Sequence, residues 1–257
     1  MPEGISGAGW AFSWGLAAAS GVLVGTTLGM IVGLPHRVIA AIMSFGAGVL
    51  VSAASISIKI TSEALIVAGA VFTAVAIIAG AALFSVANAA LPKAKDRKRC
   101  GECKPQLSER QAPGSGTSIV LGTALDAVPE ALVLGVTLRF SGSDVALVIG
   151  AVALSNVSEA LSATTGMRAA CRSSTYVLTL WSGIALGTAA MTALAFYLLG
   201  DLGSHLTAIL KAFGAGAIIA MAAETMAPEA FHNGPRYSGL LAASGFAALL
   251  LLSKIAK

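Results

Sequence analysis

Long apolar runs recur along the whole chain, and they set its class of fold. We predict eight membrane-spanning helices, at 9–33, 37–58, 65–91, 117–138, 144–167, 176–199, 205–227 and 237–256. Each run has about 20 residues or more, which at roughly 1.5 Å per residue crosses a hydrocarbon core about 30 Å thick. The composition agrees, since 56% of the 257 residues are hydrophobic, 11% are charged and the mean hydropathy is +0.86. The sequence therefore predicts an all-α integral membrane protein with a single transmembrane domain over residues 1–257.

The connections between the runs predict how the chain sits in the membrane. Most are short, but residues 92–116 are first basic and then rich in Pro, Gly and Ser, which is typical of a flexible surface loop. The first ten residues lack a basic segment and a cleavage site, so we expect the first run to be retained as a helix. Eleven Lys and Arg residues lie on the side of the long loop and five on the other side. By the positive-inside rule the long loop is cytoplasmic and both termini are extracytoplasmic, in a multi-pass protein of the plasma or inner membrane.

Two carboxylates interrupt the fourth run. Asp126 and Glu130 are four residues apart, so their side chains share one helix face. An ionisable group at membrane depth costs roughly 2.5–3.5 kcal/mol even on insertion scales, and such groups usually serve a function. Pro129, between them, removes the backbone donor that would bond to the carbonyl of Leu125, so we expect it to shape the helix.

The fifth run repeats the pattern of the fourth. Residues 153–161 (ALSNVSEAL) match residues 124–132 (ALDAVPEAL) at six positions, and they contribute Ser155, Asn156 and Glu159. If the two helices face each other, three carboxylates and one amide converge, and they either take up protons or hold a cation. Oxygen ligands suit magnesium, calcium and manganese, and they accept iron(II) or zinc less selectively. The structural alternative is a protonated carboxyl network that only pins the helices together.

A second repeat relates the second and seventh runs. Residues 45–48 and 213–216 both read Phe-Gly-Ala-Gly, in spans that cross the membrane in opposite directions. Together the two repeats predict an inverted repeat that relates spans 1–3 to spans 6–8 and span 4 to span 5. The alternative is that Phe-Gly-Ala-Gly is a common packing string of membrane helices.

Several other residues are candidates for the metal site or for the transport path. Glu224 lies in the apolar seventh run, where it would line the path or sit near the cytoplasmic interface. Cys100 and Cys103 form one CxxC, which is half a zinc site, and Cys171 is predicted on the same side; reduced thiols are the simpler interpretation. His36, His205 and His232 fall at predicted helix ends or loops. The basic run before Cys100 favours contact with anionic lipid over nucleic acid.

These motifs resemble those of the ZIP family of divalent metal transporters, in particular its bacterial branch. That family carries His-Asn-x-Pro-Glu-Gly in its fourth span and a similar string in its fifth, and here the matching residues are Pro129, Glu130, Asn156 and Glu159. This chain departs from the family at Asp126, where the family has histidine, and at Ser155, where the family has histidine or glutamine. Leu186 stands where the sixth span of the family has a metal-binding glutamate, and Glu224 falls at an acidic position of the seventh. The resemblance implies alternating access by a helix bundle that moves against a dimeric scaffold, hence a homodimer.

The leading hypothesis is a permease that moves divalent metal ions (zinc, iron(II), manganese or cadmium) toward the cytoplasm. Asp126, Glu130 and Glu159 would be the charged ligands, Asn156 a neutral one and Ser155 a peripheral one. We expect no enzymatic activity and no organic cofactor, because HExxH, GxSxG and nucleophile–histidine pairs at membrane depth are lacking. The alternatives are a non-transporting membrane protein, such as a metal sensor or an assembly partner, and a carrier of protons or sodium.

Overall fold

The computed structural model describes residues 5–91, 115–139, 144–199, 202–232 and 236–255, with backbone alone at 5–6, 59–68, 115–119, 144, 204 and 232. These segments are almost entirely helical, and they contain no strand. The first six helices are α1 (Ile5–Ile31), α2 (His36–Ala68), α3 (Ala70–Ala90), α4 (Ser115–Leu138), α5 (Asp144–Ala169) and α6 (Ser174–Leu199). They are followed by α7 (Ser204–Met221), a π-helical turn (Ala222–Met226), α8 (Ala227–His232) and α9 (Ser238–Ile255).

The structure confirms the prediction of eight long apolar helices. Eight helices of the described segments are long and apolar enough to cross a membrane, with the seventh span formed by α7, the π turn and α8 together. This architecture is compatible with a multi-pass membrane protein. The large apolar side chains exposed on α3, α6 and α9 agree with it, because in a bilayer such faces meet lipid instead of water.

The boundary between the second and third spans differs from the prediction. Residues 65–68 belong to the long α2, whereas the sequence pattern placed them in the third span. The break falls at Gly69, which has a φ of +81°, a backbone conformation that glycine adopts without steric cost. The apolar pattern runs through this single-residue connection, so periodicity alone could not locate it.

The central part of the fold is built from four interior helices. α2 contacts both α5 and α7, and α4 packs on α6 and α7, whereas α4 and α5 share only a small contact. The outer helices each add a large interface: α1 lies against α5 and α6, α3 against α7, and α9 against α2. This arrangement buries the faces of α4 and α5 that carry the carboxylates.

Glycine allows the helix backbones to approach one another closely. At each of six glycines, an added side chain would overlap the backbone of a neighbouring helix. In lipid no hydrophobic force drives helices together, so they associate through the close packing that small residues allow. The contacts are Gly21 and Gly25 of α1 on α5, Gly48 of α2 on α9, Gly80 of α3 on α7, Gly216 of α7 on α3, and Gly245 of α9 on α2.

Candidate functional site

The two carboxylates of α4 are buried inside the fold. Asp126 and Glu130 each expose only 2% of their surface. They share a face of α4 with Val133, which lies against Gly214 of α7. The helix continues through Pro129, so the proline shapes α4 without ending it. Both acids therefore point toward the core formed with α2 and α7.

The polar residues of α5 are also buried, but they face different neighbours. Glu159 exposes 4% of its surface. The amide nitrogen of Asn156 donates to the carbonyl oxygen of Ala18 on α1, at 3.3 Å. The hydroxyl of Ser155 lies 3.9 Å from the sulfur of Met226, at the end of the π turn. Asn156 and Ser155 thus contact different neighbours of α5 in this conformation.

The structure does not gather the three carboxylates into one ligand set. Among the residues described, no three His, Cys, Asp or Glu side chains are grouped so that they could hold a metal ion. One oxygen in each of Asp126, Glu130 and Glu159 accepts no hydrogen bond, although each of these residues makes another polar interaction. The predicted ligand set, with Asn156 and Ser155, therefore stays a prediction.

Several buried polar residues on the same two helices escaped the sequence analysis. Two of them lie three positions from an acid, one lies seven positions from an acid and one is adjacent to an acid, so they fall on or near the acidic face of their helix. They are Thr123 and Thr137 on α4, and Ser158 and Ser162 on α5, all of them buried. The signal was present as helical spacing of hydroxyl residues around each acid. The two buried faces together offer oxygen atoms along several turns of helix.

A buried lysine was also missed. Lys211 exposes 3% of its surface on α7, and it is one of the five basic residues counted on the extracytoplasmic side. It precedes Gly214 by three residues and so lies on the face of α7 that meets α4. Its position inside the apolar seventh run was the available signal, because a charged residue within a span is itself unusual. The buried interior therefore contains one lysine in addition to the three carboxyl groups.

Glu224 lies apart from the buried carboxylates. It is exposed in the π turn, and its two carboxylate oxygens accept hydrogen bonds from Ser85 and from Asn88 (3.0 Å) near the end of α3. These contacts place Glu224 near the C-terminal end of α3. Its contacts join the π turn to α3.

The cysteines and histidines contribute no described ligand to the centre. Cys171 is an exposed free thiol in the turn between α5 and α6. Cys100, Cys103 and the loop segment 92–114 lie outside the described residues, whereas residues 115 and 116 of the predicted loop belong to α4. As predicted, the histidines fall at helix ends: His36 begins α2, His205 is the second residue of α7, and His232 ends α8.

The chain matches no protein-family model and no curated protein. Its function is therefore argued from its own residues.

Proposed function

We propose that this protein is a membrane carrier that moves divalent metal ions toward the cytoplasm through the region between α4 and α5. The observation that carries the proposal is the burial of Asp126, Glu130 and Glu159 in the middle of apolar helices. Carboxyl groups in a low-dielectric interior are retained at a cost of several kcal/mol, and coordination of a divalent cation offsets that cost. The resemblance to ZIP transporters points to the same substrate class.

The buried hydroxyl residues support a path for the cation. Thr123 and Thr137 extend the acidic face of α4 in both directions, and Ser162 extends the face of α5 that carries Glu159. Hydroxyl and carboxylate oxygens replace the water molecules that a cation loses on entering the membrane. Protonation of the same carboxylates supplies a means of release, because it removes their charge.

The fold of the proposed carrier is an inverted repeat in which α1–α3 correspond to α6, α7 and α9, and α4 to α5. Two pairs of helix contacts support this repeat, because corresponding residues of the Phe-Gly-Ala-Gly strings in α2 and α7 make corresponding contacts with neighbouring helices. The fourth residue of each string, Gly48 or Gly216, packs on the backbone of α9 or α3. A glycine of that same partner helix packs against the carbonyl oxygen of the first residue of each string. Gly245 of α9 packs against Phe45, and Gly80 of α3 packs against Phe213.

The second residue of each string extends the correspondence to the central helices. Gly46 of α2 meets Ser158 of α5, and Gly214 of α7 meets Val133 of α4. Transporters of this design bind their substrate near the bilayer midplane, where the repeats meet. Asp126 and Glu159 are in that region of the proposed fold.

Because the three carboxylates are not grouped in this conformation, the proposal requires a rearrangement on metal binding. The contact between α4 and α5 is small, so a movement of one relative to the other breaks few interactions between these two helices. Attraction between a divalent cation and the carboxylates favours such a movement, since each new ligand replaces a lost water.

Uptake into proteoliposomes tests the proposal. Purified protein should accumulate at least one of zinc, manganese, iron(II) or cadmium, and the Glu130→Ala variant should lose that uptake while remaining folded. Normal uptake by a well-folded Glu130→Ala protein would exclude this assignment. No uptake of any metal by the wild-type protein would favour a proton or sodium carrier, or a protein without transport activity.

A further inference from the structure

The interface between α1 and α5 is a closed seam of glycines. A side chain on Gly21 would overlap the carbonyl oxygen of Ala153, and one on Gly25 would overlap that of Val157. One turn further on, a Cβ on Gly29 would lie 2.9 Å from Cβ of Thr164. The two helices are therefore in backbone contact over several turns.

The interface between α4 and α6 is closed at one end and open at the other. At Gly135 of α4, a side chain would overlap Thr192 of α6. Toward the N-terminal half of α4 the helices separate and leave a groove of about 490 Å³. The groove is lined almost entirely by apolar groups, and Gly183 and Gly187 of α6 face open space there, with nothing within 4 Å of the position of a Cβ.

The open groove and the closed seam are built from corresponding residues. Residues 20–26 of α1 read SGVLVGT, and residues 182–188 of α6 read SGIALGT. In both strings the threonine hydroxyl donates to the carbonyl oxygen four residues earlier, from Thr26 to Val22 and from Thr188 to Ile184.

The opposite walls also correspond. In the match between the fourth and fifth spans, Ala124 and Val128 stand where α5 has Ala153 and Val157. Both residues line the groove opposite the α6 glycines. Gly183 and Gly187 therefore face the counterparts of the residues on which Gly21 and Gly25 pack.

We infer that the groove is the open state of a second glycine seam, which closes when α4 packs onto Gly183 and Gly187. The inference rests on the inverted repeat of the proposed function, although it needs no metal. Two exposed glycines in a helix lower its stability relative to alanine, and backbone packing of the kind seen in α1 compensates for that loss. Nothing in the groove obstructs the closure, since its lining is apolar or small. The helix pair α4–α6 is thus a two-state element of the fold.

Distance measurements between spin labels in lipid nanodiscs test this inference. The labels replace Leu121 and Leu178, which are exposed beside the groove, in a protein whose cysteines are changed to serine. The corresponding positions of the other half, Leu16 and Gly150, are also exposed and report the distance across a closed seam. We expect two distances for the first pair, with the shorter one equal to that of the second pair.

A wedge variant makes the test decisive. Gly187→Leu has room in the open groove but blocks the closed seam, so the shorter distance should be lost while the longer one remains. Gly239→Leu is the control, because Gly239 of α9 also has nothing within 4 Å and lies outside the groove; it should leave both distances unchanged. A single long distance, or a short one that survives Gly187→Leu, overturns the inference, as does loss of the short distance in Gly239→Leu.

The result is independent of metal transport. If uptake fails but the shorter distance appears and responds to the wedge, the two-state element stands and the assigned substrate falls. If uptake succeeds and the distances do not respond, the carrier stands and α4–α6 closure is wrong.

Discussion

At the scale of single residues, the burial of three carboxyl groups is the strongest constraint on function. Asp126, Glu130 and Glu159 sit among alanine, leucine and valine, where an uncompensated charge is costly. The side chain of Lys211 is buried in the same fold, so the interior contains basic as well as acidic groups.

The first prediction concerns Glu130, whose side chain is proposed to bind the metal. Glu130→Gln keeps the volume of the side chain but removes its charge, so the fold should persist while metal affinity falls. Loss of a group that merely supports a ligand costs about 10–100-fold in affinity, and loss of a ligand should cost at least that. Uptake assays measure the effect. Ser44→Ala is the control, because this buried hydroxyl bonds within α2, to the carbonyl oxygen of Ala40, and its loss should leave uptake unchanged.

The second prediction concerns Cys171, which ends α5 in an unfavourable backbone conformation. Its φ is +57°, in the left-handed region, and the amides of Cys171 and Arg172 bond back to Arg168 and Met167 in a Schellman arrangement. A non-glycine residue there costs roughly 1–2 kcal/mol. Cys171→Gly should therefore raise the unfolding temperature in detergent, with a gain of up to about 1 kcal/mol. Cys171→Ala keeps the strain, so an equal gain in both variants would contradict the account.

The sequence predicted which residues are buried at the centre but not what they contact. The burial of Asp126, Glu130 and Glu159 follows from their place in apolar runs, which any hydropathy argument detects. The contact of Asn156 with α1 does not follow, because it depends on how α5 is rotated against its neighbours. The burial of Lys211 was not predicted, because the count of basic residues used it only to assign the sides of the membrane.

At the scale of helices, glycine contacts determine which faces meet. An α-helix in lipid has no hydrophobic reason to prefer one partner, so close backbone approach selects the interface. In α1 this selection is made by Gly21 and Gly25, and in α2 and α7 by the Phe-Gly-Ala-Gly strings. The sequence predicted the number of spans from hydropathy, but the pairing of α3 with α7 and of α9 with α2 needed the structure.

The third prediction concerns the α1–α5 seam. Gly25→Ala adds a methyl group that would overlap the carbonyl oxygen of Val157, and backbone cannot shift as easily as a side chain. Overpacking of this kind costs typically about 1–3 kcal/mol. Thermal unfolding in detergent should show the loss.

Gly150 of α5 provides the matched control for that variant. It has open space around it, so Gly150→Ala should be neutral, or stabilising by up to about 1 kcal/mol through helix propensity. Equal stability of the Gly25 and Gly150 variants would show that the seam is not packed as described.

At the scale of the whole molecule, the distribution of charge predicts the orientation of the chain in the membrane. Eleven of the sixteen Lys and Arg residues fall on the side of the long loop, which also carries the turn between α5 and α6. A cluster of side chains lies at the helix ends predicted to face the other side of the membrane, and it contains Trp10, Phe196 and Arg139. The Arg139 guanidinium is 5.3 Å from the ring of Phe196. Such clusters of aromatic and basic side chains are typical of the membrane–water interface.

The fourth prediction tests that orientation with Cys171 as the single cysteine, after Cys100→Ser and Cys103→Ser. A membrane-impermeant maleimide should label it in inverted vesicles and leave it unlabelled in right-side-out vesicles. A cysteine at Gly203, an exposed residue before α7, is the matched site for the other side and should show the reverse pattern in a protein without the native cysteines. Labelling of Cys171 from the outside would reverse the orientation and the direction of transport with it.

Calorimetric titration of the purified protein with manganese, zinc, iron(II), cadmium and magnesium tests the central claim most directly. The wild-type protein should bind at least one of these metals saturably, and the Glu130→Gln/Glu159→Gln protein should lose that binding while remaining folded. The order of affinities then names the substrate. Absence of binding to every metal, or binding that survives in the double variant, would contradict the proposal that the buried carboxylates of α4 and α5 bind the transported ion.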